Sequence, residues 1–585
     1  MPAGPPISAS PSLTRGLLPV AVYLAAMGPY CNSLSGPFVF DDWKCIVTNS
    51  AAHRLTTPST LLADSKLGAT RPVALFSIQI NYALGGLNSR GYHVFNLGVH
   101  LAAGLVLMSL VEQTLVLPRF RGRHDTSAPW IAASAAALWL AHPLSTQSVT
   151  YIVQRCESMM ALCYLLCLYC VLQSTRSERP WGWNAAAIAA CWIGMGTKEV
   201  MVTAPLVALV YDRIFLAPSW IDVVRKRAGL HIGLASSWLL VGLLLFWARR
   251  QPPESVDFGL ANCTPWEYAR TQPSVICHYL RLVIWPHPLC LDYAWPVADT
   301  FWEIVPPSVL LLVLLSATCA ALWYAAPLGF LGVAFFLILA PTSSFMPIRD
   351  LAFEHRMYLP SASLVVLGVV GGHELLRAMA CRRGLGAGAA ARWLSIMAAM
   401  VVVVLGVLTY QRNHDYADPR RLWESVVGQR PDNPRGHLNL GIVYLVRNQV
   451  NDAAERFSRA AELAPNYEEA HTNLGLALIR LGRYDEAIDE LRQSERLAPH
   501  ATSSYLNLAL AYEARGDWET AVSQYRQALG RSPRSATIHA RLGSVLLRLG
   551  RVDEATDAFQ RALKINPQHA AALDGLRRAR VLSSP

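Results

Sequence analysis

In GLLPVAVYLAAMGPYCNSLSGPFVFDD, residues 16–42, an apolar run of bilayer-crossing length ends in two adjacent carboxylates, Asp41 and Asp42. A spanning helix needs about 20 mostly apolar residues. The run follows Arg15, and no A-x-A cleavage site succeeds it, so it reads as an uncleaved first transmembrane helix rather than a signal peptide. Working outward, further candidate spans lie near 92–116, 129–147, 156–173, 183–197, 199–216, 229–247, 306–325, 327–345, 358–377 and 393–410. The segment 271–290 is ambiguous, because it carries His278, Arg281, Pro286 and Pro288. The expected architecture is all-α: a polytopic membrane bundle of about eleven spans, followed by an α-solenoid.

Composition agrees. The 585 residues are 53% hydrophobic and only 16% charged, whereas soluble chains carry about a quarter charged residues. From Gln411 onward the character changes to charged and helical, which divides the chain into regions 1–410 and 411–585. The second region holds 24 Arg and Lys against 21 Asp and Glu, so most of the +11 net charge lies in the short loops of the first. Basic loops there specify membrane orientation, and no nucleic-acid signature accompanies them. Of the twelve cysteines, Cys156, Cys163, Cys167, Cys170, Cys191 and Cys319 lie in or beside apolar runs, the Cys167–Cys170 C-x-x-C spacing among them; Cys45, Cys263, Cys277 and Cys290 could pair in an oxidising compartment.

Orientation follows from RFRGR (119–123), RSER (176–179), RKR (225–227), Arg382, Arg383 and Arg392. With a cytoplasmic N-terminus all of these fall inside, provided that 271–290 does not cross. Asp41–Asp42, TYIVQRCE (150–157), TKE (197–199) and RDLAFEHRMYLP (349–360) then share the outer face with the C-terminal region.

In that region prolines recur at 431, 465, 499, 533 and 567, each 34 residues after the last. HLNLG (437–441), HTNLG (471–475), YLNLA (505–509) and HARLG (539–543) keep the same period, as do Ala453, Ala487, Ala521 and Ala555. This is the tetratricopeptide pattern of paired helices. It gives four full repeats after a partial one at 422–431. Such arrays present a concave binding surface. Asn439, Asn473 and Asn507 fall one per repeat and could bond an extended acceptor peptide, or simply be common repeat residues; Arg541 breaks the series.

The outward motifs carry the chemistry. A carboxylate at a membrane surface can act as general base or bind a metal; the structural alternative is a helix end meeting water. Arg356, in Glu354-His355-Arg356, and Arg155 are candidates to hold a lipid phosphate, against snorkelling to headgroups. Lys198–Glu199 either pairs internally or adds charge near that phosphate. His142–Pro143 reads as structural. His373–Glu374 lacks the second histidine of a metalloprotease helix, and no P-loop or G-x-S-x-G is present, so hydrolase and nucleotide-triphosphate chemistry have no support.

FVFDDWKCIVTN (38–49), RPVALFSIQINYALGGLNSRGYHVFNLGVHL (71–101), AHPLSTQSVTYIVQRCESMMALCYLLCLY (141–169), GTKEVMVTAPLVALVYDRIF (196–215) and FEHRMYLPS (353–361), followed by repeats, resemble the transmembrane-and-tetratricopeptide-repeat O-mannosyltransferase family. That family in turn resembles GT-C glycosyltransferases, which take a sugar from a polyprenyl-phosphate donor outside the cytoplasm. The resemblance implies Asp42, or else Asp41, as the base that deprotonates a Ser or Thr hydroxyl. It implies a donor-phosphate site at Arg356, with Arg155, His355 and Lys198, supported by Glu354, Glu199 and Glu157. It further implies mannose as the favoured sugar, a lipid-linked donor and an extracytoplasmic protein acceptor on the repeats. No cofactor is required by the sequence, and the motif does not specify a divalent metal. The YIVQRCES stretch and the short repeat tail favour a bacterial inner membrane with periplasmic repeats over an endoplasmic-reticulum membrane with luminal ones. The competing readings are a non-enzymatic membrane scaffold, a carrier-lipid transporter and a lipid-linked oligosaccharide ligase.

Overall fold

The computed structural model describes residues 11–57, 67, 70–248, 263–348, 350–384 and 388–583. They are helices, turns and loops with no strand among them, and the chain divides into two compact units, Met1–Asp418 and Pro419–Pro585.

In the first unit the principal helices are α1 (Pro11–Tyr30), α2 (Pro72–Gly85), α3 (Ser89–Leu115), α4 (Ala128–Leu140), α5 (Arg155–Gln173), α6 (Pro180–Met195), α7 (Ala204–Tyr211), α8 (Trp220–Ala235), α9 (Trp238–Ala248), α10 (Pro265–Ile284), α11 (Phe301–Tyr324), α12 (Ala326–Leu339), α13 (Tyr358–Arg382) and α14 (Gly388–Tyr416). Among the described residues, six stretches are long and apolar enough to cross a bilayer: Ser89–Leu115, Ile152–Gln173, Trp220–Trp247, Phe301–Tyr324, Glu354–Arg382 and Gly388–Tyr416. α4 and α12 are shorter apolar helices.

α11 shows the membrane logic most plainly. It buries none of its residues, and an apolar surface on every side suits lipid. Phe301 and Trp302 are exposed at one end, Trp323 and Tyr324 at the other. From Trp302 to Trp323 the helix rises about 32 Å at 1.5 Å per residue, which sets an aromatic belt at each edge of a hydrocarbon layer of about 30 Å.

Several expected spans are interrupted, each for a local reason. The run 129–147 breaks after Leu140, because His142 precedes Pro143 and a residue before proline is pushed out of the α region, and it resumes as a 3₁₀ turn (Pro143–Ser145) and one α turn (Thr146–Val149). Across 199–216 a 3₁₀ turn (Glu199–Thr203) and a π turn (Asp212–Leu216) flank the short α7. The run 229–247 breaks between α8 and α9, where Ser236 and Ser237 donate their hydroxyls back to the carbonyls of Gly233 and Leu234. The ambiguous segment forms α10, which buries Tyr268, Thr271, Gln272, Val275, Ile276, Tyr279 and Leu282 on one face. It is absent from the apolar spans. α2 was not expected as a helix; it buries one face and exposes Phe76, Ile80 and Leu84 on the other, the amphipathic pattern of an interfacial helix.

The bundle has two polar ends. At one, Arg176 donates to the Gln113 carbonyl, Arg227 reaches Asp212 and the Val171 carbonyl, and Arg123 pairs with Glu374. The basic loops thus converge. At the other end the Asp41 amide donates to the Tyr151 hydroxyl, Val73 N–H to Gly196, His355 N–H to Gln147, and Asn413 to the Pro29 carbonyl. All twelve cysteines are unpaired.

The second unit is built of antiparallel helix pairs: Pro434–Val446 with Val450–Leu463, Glu468–Arg480 with Tyr484–Leu497, Thr502–Arg515 with Trp518–Arg531, and Ala536–Arg548 with Val552–Ile565. Pro419–Gln429 precedes them and Ala570–Ser583 follows. The 34-residue period has a visible cause. Six residues after each turn proline a side chain ties the turn: His437, His471, Tyr505 and His539 bond the carbonyls of Pro431, Pro465, Pro499 and Pro533 at 2.9–3.1 Å. Where the two helices of a pair cross, a side chain would collide. A Cβ on Gly441, Gly475 or Gly543 would lie 2.5–2.7 Å from Phe457, Leu491 or Phe559. Gly475→Val is therefore expected to destabilise the solenoid by about 1–3 kcal/mol, read as a lowered urea midpoint at unchanged slope. An unaltered midpoint would show that Leu491 yields freely.

Candidate functional site

The outward motifs meet at one polar end of the first unit, and local backbone chemistry sets which of their side chains are open. The segment after α1 turns so that Asp42 points inward. Its Oδ2 accepts from Val39 N–H at 3.0 Å and its Oδ1 from Val153 N–H at 2.8 Å, and the residue is fully buried. Burial pushes its carboxyl up to about 7, against the lowering effect of those two N–H bonds. Asp42 therefore staples the 39–42 loop to the 151–155 turn. Asp41, beside it, is exposed.

Arg155 is wholly buried on α5. Its guanidinium donates to Asn81 Oδ1 at 2.6 Å, to Ser77 and to the Tyr92 carbonyl, and lies over the rings of Tyr92 and Phe95. It braces α2, α3 and α5 through its two terminal nitrogens, while its buried Nε has no hydrogen-bond partner. Arg356 is similar. It is 6% exposed and donates to the carbonyls of Thr342, Leu351 and Asp350 and to the Tyr268 hydroxyl, which fixes the loop after α12 onto α10. In both cases the expected phosphate ligand is held by neutral oxygens within the protein.

Glu354 accepts from Cys290 N–H at 2.5 Å and from the Tyr293 hydroxyl at 2.8 Å, anchoring the 285–300 segment. His355 stacks on Phe353 and shares Gln147 Oε1 through its backbone N–H and its Nδ1, while its Nε2 lies 3.9 Å from Glu157. Glu157 is buried and pairs with the equally buried Lys198. Glu199 is half-exposed and accepts from Arg71 at 3.2 and 3.4 Å. Although burial alone raises it, Arg71 and then Lys198 hold the Glu199 carboxyl down to about 2.

Arg71 was not among the residues expected at the site. It sits immediately before α2, and the bond from Val73 N–H to the Gly196 carbonyl at 2.9 Å draws it against the 196–199 loop. Its side chain keeps 29% of its surface open to solvent. Burial pushes the nearby Cys45 thiol up to about 12; Asp41 and Asp42 raise it further and Arg71 lowers it, so the carboxylates and the guanidinium flank one small residue. The available signal in the sequence was Arg71 directly before Pro72, at a helix start within an outward segment.

Taken together, the solvent-facing charges at this end include Asp41, Arg71 and Glu199, above a buried layer of Asp42, Glu157, Lys198, Glu354, His355 and Arg356. An exposed carboxylate can accept a proton. A partly open guanidinium whose present partner is a half-exposed carboxylate can exchange that partner for a phosphate.

On the repeats, Asn439 and Asn473 donate their amide nitrogens back to the carbonyls of Arg435 and Glu469, at 2.8 and 2.7 Å. Each therefore offers its Oδ1 outward as an acceptor. Asn507 is half-buried, and Arg541 lies 3.9 Å from Glu513.

Known proteins bear on this geometry. The tetratricopeptide repeat family model matches residues 406–468, 438–502 and 506–570. The chain is 26% identical to Protein O-mannosyl-transferase Tmtc1 of Drosophila melanogaster over 533 residues, covering 72% of this chain and 59% of that one. It is 24% identical to Protein O-mannosyl-transferase F38B6.6 of Caenorhabditis elegans, covering 75% and 62%, and 30% identical to Protein O-mannosyl-transferase TMTC2 of Mus musculus, covering 38% and 28%. It spans less than two thirds of the length of each of these relatives. Among solved structures, a crystal structure of MamA aligns with a TM-score of 0.25 and 26% identity, covering 27% of this chain and 92% of that one. With its helical membrane unit and its repeats, the chain is similar, over 72–75% of its length, to proteins named protein O-mannosyl-transferases.

Proposed function

We propose that the protein transfers mannose from a polyprenyl-phosphate donor to Ser or Thr hydroxyls of extracytoplasmic proteins held by its repeats. The observation that carries this reading is an exposed Asp41 and a partly open Arg71 that both bear on Cys45, in a chain similar to proteins named protein O-mannosyl-transferases. Asp41 removes the hydroxyl proton as the acceptor oxygen attacks the anomeric carbon. The bond from that carbon to the phosphate oxygen breaks, and the phosphate leaves with the electron pair, stabilised by Arg71 with Lys198 behind it. A single displacement inverts the anomeric centre.

The reaction belongs on the side away from the basic loops, which cluster at the opposite end of the bundle and favour the cytoplasm. The lipid-linked donor is then presented at the membrane surface, in a bacterial periplasm or a lumen alike. The acceptor lies as an extended segment along the repeats, its backbone N–H groups directed at Asn439, Asn473 and Asn507.

The test is transfer by the purified full chain in lipid nanodiscs, with radiolabelled polyprenyl-phosphate mannose and a Ser/Thr-containing acceptor, read by intact mass. Hexose-sized additions from the lipid donor and none from a soluble nucleotide sugar are expected. Larger steps from a lipid-linked oligosaccharide would favour the ligase reading. No addition from either lipid donor, with folded protein, would leave the scaffold.

A further inference from the structure

At the polar end away from Asp41, one imidazole pair and a carboxylate come together that the transfer chemistry does not use. His124 lies in the loop between α3 and α4, and His373 and Glu374 lie on α13. Counted along α13, His373 is 15 residues beyond Tyr358, roughly 22 Å at 1.5 Å per residue, so this cluster is remote from the candidate transferase site. The sequence offered His373–Glu374 without a second histidine. The fold supplies it from the distant loop.

The geometry is that of a ligand set. One donor atom from each of the three residues lies within 4.8 Å of the others, and no other such group of three is found among the described residues. His124 Nε2 and His373 Nδ1 are each 3.7 Å from Glu374 Oε1. Zinc–nitrogen and zinc–oxygen bonds of about 2.0–2.2 Å at a tetrahedral centre put ligand atoms roughly 3.3 Å apart, so the two nitrogen–oxygen separations need to close by only a few tenths of an ångström, and the two imidazole nitrogens, within 4.8 Å, draw together about the ion. Both histidine side chains are more than nine-tenths buried, and His373 Nδ1 and Glu374 Oε1 are buried without a hydrogen-bond partner. Buried polar atoms without partners are uncommon and call for a cause. Arg123 bonds the other carboxylate oxygen, Oε2, and so turns Oε1 toward the imidazoles, the orienting role that outer partners play around metals.

We propose that His124, His373 and Glu374 bind a divalent transition metal of the zinc class, clamping the α3–α4 loop to α13 at the end of the bundle that carries the basic loops. Two imidazoles and one carboxylate suit Zn²⁺ and its neighbours better than Mg²⁺ or Ca²⁺, which take all-oxygen sets. Three protein ligands leave a fourth position for water or a small anion. That position borders an apolar cavity of about 360 Å³, lined in part by Leu107, Val111, Phe120 and Val370 together with His124 and Glu374. Arg377, whose NH1 is buried without a hydrogen-bond partner 3.8 Å from Oε1, competes with the metal for that oxygen, although its side chain as a whole is 40% exposed.

The test uses the full chain in detergent, stripped with a chelator and then titrated with Zn²⁺ or Co²⁺. One equivalent should bind, with the visible absorption of a four-coordinate cobalt site. His124→Ala and His373→Ala should each weaken Zn²⁺ more than tenfold. Arg377→Gln should tighten it several-fold, a gain that adventitious surface binding does not produce. Substoichiometric binding by monodisperse wild type, or an absence of the cobalt absorption, overturns the proposal without reliance on any variant. Equal affinity in the wild type and a folded His124→Ala/His373→Ala double variant overturns it also.

Discussion

Asp41→Asn is expected to lower mannosyl transfer by about 10²–10⁴-fold while leaving yield, monodispersity and melting temperature unchanged. Removal of a positioned general base costs that much, and Asp41 is exposed, so its replacement disturbs little packing. Asp42 should behave in the opposite way. Asp42→Ala leaves Val39 N–H and Val153 N–H without their buried acceptor, at about 1–3 kcal/mol for each group left unsatisfied. Its signature is lost folded protein, with residual activity per folded molecule well above that of Asp41→Asn. The two residues also separate by pH. The Asp42 carboxyl is raised from 3.8 to about 7 in the fold, so between those values the folded chain binds a proton that the unfolded chain has released. Its contribution to stability is complete below pH 4 and is lost as the pH rises through 7. Asp42→Asn should flatten that part of the stability profile, and Asp41→Asn should not. A full loss of turnover in stable Asp42→Asn, with Asp41→Asn active, would exchange the two roles.

That division of labour marks where the sequence stops being legible. The solenoid could be read residue by residue, because each repeat carries its own turn proline, tying side chain and crossing glycine within 34 residues, and local signals suffice. The membrane character was equally open, since it depends on composition. The expectation that the basic loops share one side came from their charges, and Arg123, Arg176 and Arg227 make their contacts at one polar end of the bundle. Which of two neighbouring aspartates faces water is another matter. It is decided by the N–H of Val153, 111 positions away, and nothing in FVFDDWKCIV announces it. Arg155 and Arg356 illustrate the same limit from the cationic side. An outward arginine reads alike whether it meets a phosphate or a set of carbonyls, and only the fold brings Asn81, Tyr92, Thr342 and Leu351 to their guanidinium groups. Arg71 was overlooked because the link from Val73 to Gly196 that places it is equally non-local.

The arginines therefore yield the sharpest remaining contrast. Arg71→Ala is expected to cut transfer by about 10²-fold or more, since loss of one preformed donor to a developing anion carries a penalty of that size. The loss should appear in both KM for the lipid donor and kcat, because the guanidinium meets the phosphate in the bound donor and more strongly as it departs. Stability should change little, as the pair with Glu199 is partly exposed and such pairs contribute about 0–1 kcal/mol. Arg71→Lys should recover part of the rate: a single ammonium restores the charge but not the bidentate fork. Arg155→Leu should do the reverse. It leaves Asn81 Oδ1 buried without its donor, at about 1–3 kcal/mol, and removes the brace among the three helices, so folded yield falls while the molecules that fold keep their KM for the donor. Measuring donor KM and folded fraction together for the three variants decides the matter. A raised KM in folded Arg155→Leu, with Arg71→Ala unaffected, would return the phosphate to the buried arginine and remove Arg71 from the site.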